Sequence, residues 1–333
     1  MQQWQAEIYA WADRYARGMC QREGVLGVVI GGSIARRQIW RHSDLELGTL
    51  LEARDERLSY FNVDAGRGVE IIQLLRAELA EQVARAENGD STAIASWPIQ
   101  LWKARLVSDP TGLLSQFKRL FDGGLFSPGV VRIKLQALSA TARQRLGEAR
   151  QSIAAGQPAK ALVRARWAMN DLILIFHWTH AELPRSQSRT DSRLRGLCRK
   201  YERPDFYELY RRVFALADTH RVVRKDWPLV RQQALDLTAA WGASTRDFFD
   251  YAVDSHFTWR QNAGILTVYR LFVPVIGGAT PGILEQLDDP AWQADHPALL
   301  SFLGLGPGQT GAVAALVDQL DAALGALESF HAA

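Results

Sequence analysis

Apolar side chains change their spacing twice along the chain. Over residues 3–22, Trp4, Ile8, Trp11, Tyr15 and Met19 recur every three or four positions, the stripe of an amphipathic helix. The next segment, GVLGVVIGG (residues 24–32), loses that period and becomes a continuous apolar run closed by glycines, which predicts a buried strand. A short helix is predicted from about Ser33. DLELGTLL (44–51) and GVEIIQLL (68–75) read as two further strands, and helical spacing returns over residues 76–86 and near 113–121.

The second change comes at DGGLFSPG (122–129), where glycines and a proline cluster and strand patterns largely stop. From residue 130 onward the pattern is helical. One long helix ends at Gly156, and the next opens with Pro158 in its first turn, where the missing N–H costs nothing. Further helices are predicted over 206–217, 228–241, 244–253 and 258–272, then a loop over 273–282 and a last amphipathic helix over 310–330. The reading is an α+β chain: a small mixed sheet with helices in an N-terminal domain (1–125), then a helical bundle domain (126–333). No internal repeat or low-complexity tract interrupts it.

Charge narrows the possible roles. The 333-residue chain carries 39 Lys and Arg against 36 Asp and Glu, a net charge of +3. That lacks the basic bias of a dedicated nucleic-acid binder, although a local positive patch for phosphates is compatible with it. The longest apolar run, LILIFHW (172–178), is too short to span a bilayer. The N-terminus is amphipathic rather than a signal peptide, and Cys20 and Cys198 form no paired motif. A cytoplasmic protein with free thiols and no membrane association is expected.

The chemistry concentrates in GGSIARRQIWRHSDLELGTLL (31–51). In a strand, residues i and i+2 share a face, so Asp44 and Glu46 project together while Leu45 and Leu47 face the other way. Two like charges this close repel, and burial adds desolvation. A divalent cation such as Mg²⁺, which takes carboxylate and phosphate oxygens, would offset both costs. Glu70 is an isolated acid between Val69 and Ile71, and it joins the pair if the two strands are neighbours. Upstream, the glycines permit close backbone approach to a ligand, and Ser33 opens a helix whose free N–H groups favour an anion. Together these parts describe a metal–triphosphate site for phosphoryl-type transfer.

The order GGS, a ten-residue gap, DLE and a later strand acid in VEI resembles the DNA-polymerase-β-type nucleotidyltransferase superfamily. SIAR after the glycines and SD before the acids resemble its small-molecule branch, the aminoglycoside and antibiotic nucleotidyltransferases. The motif resemblance covers residues 25–74, and the remainder matches in layout only. It implies that Asp44, Glu46 and Glu70 form the catalytic and metal set, holding two Mg²⁺ ions, with Glu70 as ligand or as general base. It implies that the glycine turn, Gly31, Gly32 and Ser33, binds ATP or another nucleoside triphosphate; Arg36, with Arg37 and Arg41, is a candidate to steer its phosphates, or else lies on an exposed helix face. The family's triphosphate-gripping lysine has no clear counterpart, and the helical half offers Arg185, Arg189 and Lys200 instead. The second acid is Glu where Asp is common. The implied reaction moves a nucleoside monophosphate, AMP from ATP, to a small hydroxylated acceptor such as an aminoglycoside-like compound, with release of pyrophosphate. A protein acceptor, as in an antitoxin-like enzyme, and a catalytically weak nucleotide-binding module are the alternatives. RNA tailing is disfavoured by the small net charge.

Elsewhere, His177 and His180 share a helix face in HWTH, and Trp167 and Trp178 lie on the same helix. These read as bundle packing rather than as ligands. Asp171 and Glu182 are candidates for an acidic wall facing a cationic acceptor, and Asp109 reads as the start of an Asp-Pro turn.

Overall fold

A computed structural model describes residues 2–41, 43–184, 189–217, 266, 267, 270 and 283–332. The helices expected over 228–241, 244–253 and 258–272, the loop over 273–282, and Arg185 lie outside, save for the three residues 266, 267 and 270. The described residues divide between Ile133 and Lys134 into two compact units, and each is described by itself.

The first unit begins with α1 (Gln3–Cys20) and β1 (Val25–Ile30), followed by the single turn α2 (Gly32–Ala35). Strand β2 (Leu45–Leu51) comes next, then β3 (Phe61–Asp64) and β4 (Arg67–Leu75). Helices α3 (Arg76–Glu87) and α4 (Ser91–Ser96) precede a last strand, β5 (Arg105–Ser108), and α5 (Leu113–Gly124). The sheet is mixed, in the order β3-β4-β2-β1-β5. The pairs β1/β2, β1/β5 and β3/β4 are antiparallel, while β2 and β4 run parallel.

Side-chain alternation then sorts the two faces. Val28, Ile30, Leu45, Leu47, Val69 and Ile71 pack on Ile8, Trp11, Ala12 and Met19 of α1 in one core. On the other face, a Cβ at Gly27 would meet Leu114, and one at Gly48 would meet Leu101, so glycine allows the covering segments to lie close. There Trp97 packs edge-on against Phe117 and Phe121, with ring centroids 4.7 and 5.4 Å apart.

The sequence pattern missed the two edge strands. β3 and β5 are four residues each and carry no apolar run. β3 reaches β4 through Ala65 and Gly66, both at positive φ (49° and 72°), as a two-residue type I′ turn requires. The Trp11 indole N–H donates to Asp64 Oδ2 at 2.7 Å and ties α1 to this edge.

In the second unit, α6 (Pro128–Ala154, whose first turns belong to the first unit) and α7 (Pro158–Thr179) flank Gly156, which takes the left-handed conformation (φ 70°) that ends a helix. Helices α8 (Thr190–Lys200) and α9 (Pro204–Val213) follow, and Val313–Ala332 forms the final long helix. α7 is buried around most of its circumference, so it is the unit's central helix. Arg150 of α6 reaches Asp321 of the final helix at 2.8 Å.

Two buried guanidiniums close helix ends here. Arg166 donates to the carbonyls of Val213, Leu303 and Gly304 at 3.1, 2.6 and 2.8 Å. Arg270 donates to those of Phe302, Phe214 and Ala215. They satisfy carbonyls that a helix leaves unpaired at its C-terminus. No described helix is long and apolar enough to cross a membrane.

Candidate active site

Strand pairing assembles the site. β1 is antiparallel to β2 with Ile30 opposite Leu47, so the glycines after β1 arrive beside the start of β2. The Gly31 N–H donates to the Glu46 carbonyl at 2.7 Å and closes this corner. β2 is parallel to β4, with Glu46 opposite Glu70. The two glutamates therefore stand side by side on the face away from α1. Asp44 immediately precedes β2 instead of lying within it, and it keeps the side of Glu46. β2 and β4 are neighbours, the condition on which Glu70 was to join Asp44 and Glu46.

Each acid has a distinct setting. The Glu46 carboxylate lies over Gly32 and accepts the Ser33 backbone N–H. Gly32 has φ +60°, which favours glycine, and a Cβ there would displace the Glu46 carboxylate. Burial pushes the Glu46 carboxyl well above its ordinary range. The charges of Asp44 and Glu70 push it further up, while Arg36 and the Ser33 N–H pull it down. Glu70 is also raised, by burial, against a hydrogen bond from Tyr60. Gln100 Nε2 lies 3.5 Å from the same Glu70 oxygen.

Ser33 and Arg36, two of the residues expected to bind phosphate, already make hydrogen bonds within the unit. Ser33 Oγ donates to Ser43 Oγ at 3.0 Å, and the buried Ser43 hydroxyl also accepts the Trp40 N–H at 3.0 Å. That hydroxyl relay fixes the loop leading to Asp44. Arg36 Nη1 donates to the Trp102 carbonyl at 3.3 Å, and burial lowers its pKa against the opposing charge of Glu46. Arg36 thus supplies a positive charge inside the acidic cluster. Tyr60, Gln100 and Trp102 were not expected at the site. They come from the segment before β3 and from the turn before β5, and nothing in their spacing marks them.

Among the described residues, no group of three His, Cys, Asp or Glu side chains is disposed to hold a metal ion. Glu70 is turned to Tyr60 and Glu46 to the Gly32–Ser33 turn. The donor chemistry is of the kind Mg²⁺ takes: Glu46 and Glu70 are opposite each other in register, and the charges of Asp44 and Glu70 both disfavour the charged form of Glu46.

The residues flagged elsewhere have structural partners. Asp109 accepts hydrogen bonds from the Ser115 hydroxyl and N–H at 2.6 and 2.8 Å and caps the start of α5. His177 is buried in the bundle, and His180 stacks on Tyr201 with centroids 3.6 Å apart. Trp178 is buried, as a packing residue should be. Asp171 does not face an acceptor: it is buried and lies 2.8 Å from Arg145 Nη1. Glu182 is paired with Lys200 at 2.8 Å. Cys20 and Cys198 are free thiols.

No family model and no curated protein matches the sequence. Among solved structures, a nucleotidyltransferase-like protein from Exiguobacterium sibiricum 255-15 is similar at 12% identity, over 90% of this chain and 87% of that one, with a TM-score of 0.34.

Proposed function

We propose that the chain is a Mg²⁺-dependent nucleotidyltransferase that moves a nucleoside monophosphate, AMP from ATP, to a hydroxyl of a small molecule such as an aminoglycoside-like compound, releasing pyrophosphate. The observation that carries this reading is the Glu46–Glu70 register, with Asp44 on the same side and the Gly31–Ser33 turn directly beside it. It is supported by the resemblance of GGS, DLE and VEI to the nucleotidyltransferase motifs.

In this reading Asp44 and Glu46 hold the metal, which when bound neutralises phosphate charge and lowers the barrier at the α-phosphorus. Glu46 accepts the Ser33 N–H, so the acid that would hold a cation and the backbone donor that would meet a triphosphate oxygen are adjacent. Arg36 contributes a fixed positive charge beside the same acids. Glu70, whose carboxylate already accepts a hydrogen bond from the Tyr60 hydroxyl, is the acid placed to take the proton from an acceptor hydroxyl.

The test is transfer of α-labelled ATP and GTP to a panel of hydroxylated small molecules with Mg²⁺. Asp44→Asn removes a ligand charge and is expected to cut turnover by about 10³-fold or more, the order of several kcal/mol. Transfer that survives Asp44→Asn, or no binding of either nucleotide, refutes the assignment.

A further inference from the structure

Tyr60 is the most exposed large apolar side chain among the described residues, at 62%. Its hydroxyl nevertheless points inward and donates to Glu70 Oε1. The backbone sets this up. The Tyr60 carbonyl accepts the Ile71 N–H at 2.8 Å, and Phe61, the next residue, pairs opposite Glu70. With the ring largely in solvent, no packed core resists a change of rotamer. A hydroxyl donating to Glu70, next to Glu46 in register, is where the function proposed above needs its acceptor. Here that hydroxyl belongs to the chain.

We propose that Tyr60 is an internal acceptor, so that the chain nucleotidylates its own tyrosine when a nucleoside triphosphate is bound; this rests on the proposed function. The Tyr60 Oη–H bond breaks and its proton passes to the Glu70 carboxylate. A bond forms from Oη to the α-phosphorus. The bond from the α-phosphorus to the αβ-bridging oxygen breaks, and pyrophosphate leaves with that electron pair. The product is a phosphodiester on Tyr60, which can no longer donate to Glu70 and brings a negative charge beside three carboxylates.

The experiment incubates the full chain with ATP or GTP and Mg²⁺, without external acceptor, and reads intact mass and peptide maps. The expected result is a gain of one nucleoside monophosphate, mapped to Tyr60 and lost in both Tyr60→Phe and Asp44→Asn. Calorimetry with a non-hydrolysable triphosphate analogue runs alongside, and Tyr60→Phe is expected still to bind it in a Mg²⁺-dependent way. Transfer to an external small molecule with Tyr60 unlabelled overturns the inference and leaves the proposed function standing. If Tyr60→Phe is then faster than wild type, the tyrosine only shields Glu70. Label on another residue also overturns it. No analogue binding and no pyrophosphate release in any condition overturn the inference and the proposed function together.

Discussion

Gly32 and Glu46 show how tightly single residues are coupled at the site. The carboxylate occupies the space where any other side chain at position 32 would begin, and the backbone there is left-handed. Gly32→Ala is expected to cost about 1–2 kcal/mol from that conformation, read as a shift in the denaturant midpoint. Transfer should fall by more than this stability loss explains, because Glu46 is displaced. Glu46→Gln acts in the opposite direction on stability. The folded carboxyl holds its proton more tightly than the unfolded one, since burial and the neighbouring acids raise its pKa. Its favourable contribution is therefore complete below the ordinary value of 4.5 and is lost as pH rises through the folded value. Glu46→Gln removes that loss and can still accept the Ser33 N–H. Its thermal midpoint should exceed that of wild type at neutral pH, with the gap closing toward pH 4.5. An unchanged midpoint across that range would show that the acidic cluster carries no strain.

Among the elements, the β3–β4 hairpin sets where Glu70 and Tyr60 meet. Its turn places Ala65 at φ 49°, where a Cβ is unfavourable, beside Gly66 at φ 72°, where none is needed. Asn-Gly is the preferred pair for such a turn. Ala65→Asn is expected to stabilise the chain by roughly 1 kcal/mol with the register unchanged. Chemical denaturation measures the gain, and no gain would mean that the turn is relaxed with alanine. The element assignments also show where sequence patterns carry information. α1, β1, β2 and β4 were legible because burial imposes a strong period or a continuous apolar run. β3 and β5 were not, because an edge strand of four residues is partly exposed and is held by backbone pairing to a neighbour, which leaves no period in the side chains.

Across the whole molecule, the helical unit balances two buried ionisable groups on α7. Burial holds His177 down to about 4, against an ordinary 6.5, so its contribution is present above pH 6.5 and lost as pH falls through about 4. Burial holds Asp171 up to about 7, from 3.8, even against the charge of Arg145. Its contribution is present below pH 3.8 and lost as pH rises through about 7. Between pH 4 and 6.5 the two slopes oppose each other, each integrating to roughly 3–4 kcal/mol. Asp171→Asn leaves His177 unopposed, so its thermal midpoint should drop as pH is lowered from 6.5 to 4, more steeply than that of wild type. Parallel curves for the two proteins would refute the balance.

Glu46, Glu70 and the glycine turn stood out because their local pattern is unusual: acids inside apolar strands, and glycines where a strand stops; Asp44 stood out as the acid just before β2. The α+β class followed from the change of period at residues 122–129. The sequence by itself determined α1, the buried strands β1, β2 and β4, the long helices that follow, and which acids break their pattern. The tertiary structure alone decided that β2 and β4 pair in parallel with Glu46 opposite Glu70, that the Glu46 carboxylate rests on Gly32, and that Tyr60 and Gln100 reach Glu70. It also decided that Asp171 serves Arg145 inside the bundle, and that Arg166 is buried with three carbonyls to satisfy. The physical reason is range. Period and burial act within one segment and are written into it, whereas strand order, register and the partner of a buried charge depend on residues far away in the chain.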